Sequence, residues 1–262
     1  MKRGRSIVTF PSSRLATVDL GRYGRDRHTM FGLLEVDVTL ARQSARLLRR
    51  SGRGGSFTAW MVKAVADSVA RHREVHAVAV GRRKVVLFDS VDIALPVERA
   101  VESGRAPLPV LIRQAESRSV AEIGEAIDAA TRQQLADERS YVLGSPTLSG
   151  AAMKLYYRLP GPLRLLAWRV LLGNAERAKR HSGTVTVTTV GGSGRTAGWI
   201  LPTRSMHNLH VSLGPITRKP RVVGDRIVAR EIMHLTVAFD HDVVDGVPAR
   251  RFMEDLVAHV ER

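Results

Sequence analysis

The residues with the clearest capacity for chemistry lie near the C-terminus, in the stretch 239–246, which reads FDHDVVDG. Its histidine, His241, is the side-chain type whose ordinary pKa of about 6.5 lets it take and return a proton near neutral pH. A carboxylate, Asp245, follows four residues later and could belong to a polar frame around the imidazole. The spacing therefore predicts that His241 is a general base. A structural histidine in an acidic turn is the alternative that these residues leave open.

The elements around this histidine follow from the sequence pattern. The apolar and β-branched run 235–239 predicts a buried strand that ends just before His241. The Gly-Val-Pro sequence at 246–248 predicts a turn, and 249–260 predicts a helix. We therefore expect the imidazole at a junction between a strand and a turn.

A second candidate region is the run 184–190, in which threonine and valine alternate. This period of two predicts a half-buried strand that carries Thr184, Thr186 and Thr188 on one face. Taken alone, the pattern is explained by a strand with one polar face.

The remaining patterns predict an α/β fold with one largely contiguous sheet. Ser119 and Glu122 have the spacing of a capping box, which predicts a helix of roughly 18 residues. Gly224-Asp225 is a two-residue hairpin signal. Residues 1–30 are predicted to be irregular and 98–106 to form a polar loop. Further strands are expected at 34–38, 75–80, 84–88, 91–97, 108–112, 209–213, 221–223, 226–228 and 232–239, and further helices at 40–50 and 58–71.

Composition excludes several classes of chemistry. The 262 residues include 44% hydrophobic and 25% charged residues, as in an ordinary globular protein. The chain contains no cysteine, which excludes disulfides, thiolate chemistry and zinc–cysteine sites. No apolar run has the length of a signal peptide or a membrane span, so the predicted location is cytoplasmic.

The formal net charge of +16 raises the question of a polyanionic partner. The arginines are spread along the whole chain, and the 5% of aromatic residues are not interleaved with basic residues. This distribution argues against base stacking and disfavours nucleic acid as a partner. A positive field also suits an anionic small molecule that carries phosphates.

The segment 159–180 contains a short basic helix, Leu163–Leu172, with Trp168 on its apolar side. One interpretation is contact with a membrane surface or a partner. The alternative, which we favour, is an ordinary core helix or one buried between subunits.

Three stretches together resemble a known family. The stretch 239–246 resembles a signature F-D-H-R-x-x-D-G, and 183–191, which reads GTVTVTTVG, resembles G-T-F-T-I-S-N-L-G. The stretch 34–39, with 57–70 and 112–115, resembles the N-terminal half of the same family. From about residue 28 onward, the chain is similar to the catalytic domain of the dihydrolipoamide acyltransferases of 2-oxo-acid dehydrogenase complexes.

This resemblance implies a chloramphenicol acetyltransferase-like α/β fold, a two-layer sandwich with a mixed central sheet. Residues 1–27 would be an N-terminal arm and 28–262 a single catalytic domain, with a divergent helical insertion at 140–182. By the same resemblance, His241 is the general base and Thr188 donates a hydrogen bond to an oxyanion. Asp245 orients the site, with an arginine as its expected partner. The candidates for that arginine are Arg22, Arg25 and Arg27.

The implied activity is coenzyme A-dependent acyl transfer from acyl-CoA to a thiol or another acceptor, which the sequence does not identify. Neither a metal nor particular coenzyme A-binding residues are predicted, and a lipoyl group would come from another chain. The resemblance also implies a homotrimer or a multiple of trimers in which different subunits supply the base and the oxyanion donor. A 2-oxo-acid dehydrogenase complex is one expected partner, and a non-catalytic trimeric scaffold is the alternative function.

Several features depart from the family pattern. Thr189 and His76 each stand where the family has asparagine. Asp242 stands where the family has arginine, which places a negative charge beside the expected base. Because of this change, the family resemblance does not identify the acyl acceptor. The sequence also holds no lipoyl domain and no subunit-binding domain. We therefore expect a stand-alone acyltransferase-like protein.

Overall fold

The computed structural model describes residues 12–51, 56–81, 83–101, 104–135, 150–190 and 196–261. These residues form an α/β unit in which helices pack on one face of a mixed sheet. The helices are α1 (Ser12–Tyr23), α2 (Thr39–Arg50), α3 (Phe57–Arg71), α4 (Val120–Arg132), α5 (Gly150–Arg158), α6 (Gly161–Leu172), α7 (Ala175–Ser182) and α8 (Gly246–Glu261). The strands are β1 (Thr29–Asp37), β2 (Val78–Val80), β3 (Lys84–Val86), β4 (Ile93–Val101), β5 (Gly104–Ile112), β6 (Gln134–Leu135), β7 (Val185–Thr189), β8 (Leu209–Val223) and β9 (Arg226–Asp240).

The central sheet has the strand order β1-β9-β8-β7-β4-β5, with the short β6 also paired to β4. β7 runs parallel to both β8 and β4, whereas β8 with β9 and β1 with β9 are antiparallel. The separate hairpin β2-β3 completes the strands. The mixed sheet, covered by helices, confirms the predicted fold class.

Alternation along the strands separates an apolar face from a polar one. Val185 and Val187 of β7 are fully buried in the main core, as are Leu209 and Val211 of β8. The helices α3 and α8 cover this face. The residues between them, which include Thr186 and Thr188 of β7 and Thr184 just before this strand, point to the opposite face.

Gly183 is required by the backbone at the start of β7. Its φ is +77°, and a Cβ at this position would lie 2.6 Å from the carbonyl oxygen of Asp92. The left-handed conformation and the close approach together allow only glycine without rearrangement. Close packing against Asp92 thus explains why a glycine precedes the threonine–valine run.

The β8–β9 hairpin extends beyond the sheet as a two-stranded arm. Gly224, at φ +59°, forms the predicted turn with Asp225. The pairing continues from Arg218 with Glu231 to Val223 with Arg226. Within the described residues, β1 and β7 pair only with the inner halves of these strands.

Several stretches differ from the prediction made on the sequence. Residues 246–248 begin α8 instead of forming a turn before it, and residues 75–76 belong to a short 3-10 helix rather than to a strand. Two further stretches differ more strongly. Residues 12–23 form α1 rather than an irregular segment, because Ala16 and Asp19 are buried against α5 and α6. Of the predicted loop 98–106, residues 98–101 belong to β4 and residues 104–106 belong to β5. There Arg99 is only 3% exposed and donates a hydrogen bond to the carbonyl oxygen of Ala130 in α4. In both stretches, distant packing overrides a weak local pattern.

The helical region holds a small second core. Trp168 and Leu172 of α6 pack there with Ala16 and Tyr156, so the tryptophan is buried. Leu163, Leu166 and Val170 of the same helix remain exposed. Trp168 therefore behaves as a core residue, and the membrane-contact interpretation of Leu163–Leu172 stays a prediction.

Of the predicted insertion, 140–149 lies outside the described residues. Within the described residues, no helix has the length and apolar character needed to cross a membrane.

A buried carboxylate connects α1 to α6. Asp19 is fully buried and accepts hydrogen bonds from Arg164 Nε at 2.7 Å, from Arg164 Nη2 at 3.3 Å and from the Tyr156 hydroxyl at 2.8 Å. Burial, followed by the bond to Asp19, raises the pKa of Tyr156, so its hydroxyl remains protonated. The Asp19 hydrogen bond raises the pKa of Arg164.

We predict that Asp19→Ala destabilises the α1–α6 unit by about 3–5 kcal/mol, because it leaves the Arg164 guanidinium without its buried partner. Hydrogen exchange of α1 and α6 amides, together with urea unfolding, measures this loss. Asp26→Ala, at an exposed aspartate just after α1, is the matched control and should leave both measurements unchanged. Equal protection of α1 in Asp19→Ala and the wild type would contradict the assignment.

Candidate active site

His241 lies in the turn immediately after β9, where its side chain is exposed. The His241 backbone N–H donates a hydrogen bond of 2.7 Å to the carbonyl oxygen of His28, just before β1. The last pair of β1 with β9 joins Thr29 to Asp240. The sheet edge therefore fixes the backbone at His241 and leaves the imidazole accessible, as a general base requires.

Asp240, the residue before His241, forms a largely buried ion pair. Arg27 Nη1 lies 3.0 Å from Asp240 Oδ2 and also donates to the side-chain oxygen of Asn208. Burial raises the pKa of the Asp240 carboxyl, and the charge of Arg27 partly offsets this effect. Asp240 Oδ1 accepts from the backbone N–H of Asp242 at 3.2 Å, so this carboxylate also shapes the turn.

Arg27, one of the three arginines considered as a partner for Asp245, pairs with Asp240. Asp245 is exposed at the start of α8, where its backbone oxygen accepts from Ala249 N at 3.2 Å. Within the described residues, its carboxylate has no hydrogen bond or ion pair. Arg27 pairs with Asp240 because β1 begins two residues after Arg27 and aligns directly with the end of β9. The arginine partner of Asp245 therefore stays a prediction.

Asp242, which stands in place of the family arginine, pairs with a second histidine. Its Oδ1 lies 2.7 Å from Nδ1 of His28, and both side chains are largely exposed. The negative charge beside His241 thus has a local cationic partner whenever His28 is protonated. Screening by solvent keeps such an exposed pair weak.

Each threonine on the polar face of β7 contacts a histidine. Thr184 Oγ1 lies 2.9 Å from His76 Nδ1, and Thr186 Oγ1 is hydrogen-bonded to His207 Nδ1. Thr188 Oγ1 lies 3.1 Å from His210 Nε2. The polar face of this strand is therefore a row of hydroxyl–imidazole pairs.

These imidazoles are largely shielded from water. Burial lowers the pKa of His76 and of His207 to about 4, and it lowers the pKa of His210 to about 3. Lys179 adds to the effect at His76, and Arg27 adds to it at His207. All three rings are consequently neutral at pH 7 and act as hydrogen-bonding groups rather than as charges.

Thr188 has a second neighbour on β8. Its hydroxyl oxygen lies 3.2 Å from Ser212 Oγ, and Ser212 is almost fully buried. Thr188 itself is only partly buried, so its hydroxyl can reach a molecule outside the sheet. This is the position that an oxyanion donor needs.

One chain does not bring His241 and Thr188 together. Thr188 pairs with Ser212, which pairs with Thr236 on β9, and His241 follows Thr236 by five residues. Standard strand spacings place the two Cα atoms roughly 19 Å apart. No hydrogen bond or proton transfer could connect them directly at that separation.

A cleft of about 320 Å³ opens on the helix side of the sheet. It lies beside the C-terminal end of β7, whereas the Thr188 hydroxyl lies on the opposite face. The described residues contain no cluster of three or more His, Asp or Glu side chains that could hold a metal ion. The cleft is lined by Phe57, Thr58, Thr189, Leu213, Gly214, Ile216 and Met233.

Known acyltransferases share part of this sequence. Residues 143–262 match the family of 2-oxoacid dehydrogenases acyltransferase catalytic domains. Over 241 residues, the chain is 24% identical to the dihydrolipoyllysine-residue acetyltransferase component of the Mycobacterium tuberculosis pyruvate dehydrogenase complex, which covers 87% of this chain and 36% of the relative. It is 34% identical over 85 residues to the lipoamide acyltransferase component of the Pseudomonas aeruginosa branched-chain alpha-keto acid dehydrogenase complex, which covers 31% of this chain and 19% of the relative. The chain thus spans between about a fifth and a third of the length of these curated relatives.

Solved structures show the same fold. A probable dihydrolipoamide acetyltransferase from Listeria monocytogenes superposes with a TM-score of 0.66 at 18% identity, covering 98% of this chain and 95% of the other. The dihydrolipoamide acetyltransferase from Azotobacter vinelandii gives 0.65 at 14% identity, covering 99% and 93%.

The chain therefore has the fold of an acyltransferase catalytic core. With the sequence match at 143–262, it is similar to catalytic domains of the dihydrolipoamide acyltransferase type. The sequence resemblance and the fold that it implied are confirmed.

We predict that the three shielded histidines make folding sensitive to acid. Unfolded histidines bind a proton near pH 6.5, whereas these rings stay neutral until about pH 4 or below. Stability is therefore complete above pH 6.5 and is lost as the pH falls toward 4, by at most about 3 kcal/mol for a ring such as His207. Thermal unfolding between pH 7.5 and 4.5 measures the effect.

The comparison with His207→Gln assigns this loss to the buried ring. The variant should have a shallower fall in melting temperature with acid than the wild type. His259→Gln, at a half-exposed histidine of α8, should keep the slope of the wild type. Equal slopes in all three proteins would contradict the prediction.

Proposed function

We propose that this protein catalyses coenzyme A-dependent acyl transfer, with His241 as the general base and Thr188 as the oxyanion donor. The observation that carries the proposal is the match of residues 143–262 to an acyltransferase catalytic domain, because this region contains both residues. An accessible imidazole after β9 and a partly exposed hydroxyl on β7 support the two roles. The cytoplasmic location predicted from the sequence belongs to the same proposal.

The proposed reaction consists of two proton movements and one acyl exchange. His241 removes the proton from the attacking nucleophile, a thiol in the simplest form, as it adds to the thioester carbonyl carbon. Thr188 donates its hydroxyl hydrogen to the oxyanion of the tetrahedral intermediate. The intermediate then collapses, the bond from carbon to the leaving sulfur breaks, and His241 returns the proton to that sulfur.

Asp245 is proposed as the positioning carboxylate. The acetyltransferase from Azotobacter vinelandii has a serine, a histidine and an asparagine with roles in its catalytic mechanism, and that asparagine follows the histidine by four positions. Asp245 has the same spacing from His241. Because Asp245 has no side-chain partner in the described part of one chain, its proposed partner belongs to substrate or to another subunit.

The proposed site lies between subunits of a homotrimer. The roughly 19 Å between His241 and Thr188 within one chain support this arrangement, because both must approach one thioester carbon. Each subunit would supply His241 to one site and Thr188 to another. A partner 2-oxo-acid dehydrogenase complex, with a lipoyl group carried on a different chain, is the proposed source of acyl groups.

We predict that His241→Ala lowers kcat for acyl exchange between acetyl-CoA and dihydrolipoamide by at least about 10²-fold, because the thiol loses its base. Steady-state assays with free dihydrolipoamide and a panel of other thiols measure the loss. His259→Gln is the matched control, since this histidine lies on α8 away from the strand end. Light scattering should show the same oligomer for all three proteins.

The same assays separate the catalytic proposal from a scaffold. Background activity for the wild type with every acceptor, together with a defined oligomer, would favour a non-catalytic assembly core. An active His241→Ala variant would instead contradict the role of the base.

A second prediction concerns the shared site. Thr188→Val and His241→Ala subunits should each form nearly inactive trimers, since each lacks one half of every site. Co-expression at equal amounts should restore about one quarter of wild-type activity, the fraction of intact sites in randomly mixed cyclic trimers. Differently tagged subunits allow the mixed trimers to be purified and assayed. Mixed trimers without recovered activity would contradict a site shared in this way.

A further inference from the structure

The hydrogen bonds of the β7 threonines determine which hydroxyl is free to act on substrate. A threonine hydroxyl has one hydrogen to donate and two lone pairs that accept. A threonine can serve an oxyanion only if no neighbour already takes its hydrogen. The three hydroxyl–imidazole pairs of β7 differ in this respect.

The hydroxyl groups of Thr184 and Thr186 already donate their hydrogen to a neighbouring acceptor. His207 Nε2 lies 2.8 Å from the carbonyl oxygen of Ser182, which can only accept, so this nitrogen carries the ring proton. His207 Nδ1 is then an acceptor and takes the hydrogen of Thr186. Thr184 Oγ1 donates to the carbonyl oxygen of Asp92 at 3.4 Å.

Thr188 differs because no carbonyl oxygen fixes its direction. Its two neighbours are His210 Nε2 and Ser212 Oγ. The other ring nitrogen, His210 Nδ1, is buried and has no partner among the described residues. A proton on Nδ1 would be a buried donor without an acceptor, which is less favourable than an unpaired lone pair.

We propose that His210 is a positioning residue that holds Thr188 ready as an oxyanion donor. His210 carries its proton on Nε2 and donates it to Thr188 Oγ1, and Ser212 donates to the second lone pair of the same oxygen. The Thr188 hydrogen then points away from the sheet, toward the substrate. This inference rests on the proposed oxyanion role of Thr188 and adds what orients that hydroxyl.

The opposite tautomer would disable the site. With the proton on Nδ1, His210 Nε2 would accept the Thr188 hydrogen and leave none for the oxyanion. The location of one ring proton therefore decides whether Thr188 is a donor. Neither His210 nor Ser212 contacts the reacting atoms in this arrangement; both act through Thr188.

Substitution at His210 tests this role in catalysis. His210→Leu, which removes the donor, should lower kcat roughly tenfold with KM for acetyl-CoA within about twofold. His210→Gln, whose amide can donate from a similar position, should restore most of the rate. In a Thr188→Val background, His210→Leu should cause no further loss, because its effect passes through that hydroxyl.

Thr186→Val provides the matched control, because it breaks a neighbouring pair of the same row without touching Thr188. It should keep kcat within about twofold of the wild type. A normal kcat in His210→Leu would overturn the inference, as would losses in His210→Leu and Thr188→Val that simply multiply. An equal loss in Thr186→Val would overturn it too, because the effect would then reflect the polar face in general.

A second measurement does not depend on activity. Nitrogen chemical shifts of ¹⁵N-histidine-labelled protein report which ring nitrogen carries the proton. We expect His210 to be neutral with the proton on Nε2 from pH 5 to pH 8, and this signal to change in Thr188→Val. A proton on Nδ1, or a charged ring in this range, would overturn the inference even if the protein proved to be a scaffold. The proposed function would fail separately, through an active His241→Ala variant.

Discussion

Five parallel pairs between β7 and β8 determine where the polar side chains around Thr188 lie. They align Thr186 with His210 and Thr188 with Ser212, while Val185 and Val187 face the main core. Because side chains alternate along a strand, a shift of one residue would bury the threonines among helices and expose the valines. The large apolar core between the sheet and the helices α3 and α8 therefore fixes the register of β7 against β8. This register in turn fixes which polar side chains lie beside Thr188.

The sequence predicts the features that depend on local periodicity. The alternation of 184–190, the hairpin at Gly224-Asp225 and the capping box of Ser119 with Glu122 all occur in the structure. The helix that begins after this capping box is 13 residues long rather than roughly 18. The position of His241 in the turn just after β9 is likewise as predicted, because a strand pattern ends just before it.

The partners of the site residues could not be predicted, because they come from distant parts of the chain. His207 and His210 belong to no motif, and only the pairing of β7 with β8 brings His210 to Thr188. Arg27 was a candidate partner for Asp245, yet the pairing of β1 with β9 gives it to Asp240. One sequence signal was available: His210 and Ser212 alternate with Leu209, Val211 and Leu213, which indicates a polar face on β8. The identity of the contact still required the fold.

The outer arm of β8 and β9 suggests how the high positive charge of this protein affects its tendency to aggregate. Its two outer edges have no strand partner within the described residues, and Val222 and Ile227 are 70% and 76% exposed on it. Such an edge invites addition of strands from other molecules, unless charge or proline blocks it. The arm carries Pro220 and four arginines. Arg221 and Arg230 pair with Glu261 and Asp37, whereas Arg218 and Arg226 supply positive charge by which the arms of two molecules repel one another. Part of the arginine excess thus opposes pairing between the exposed strand edges of two molecules in concentrated solution, independently of any anionic ligand.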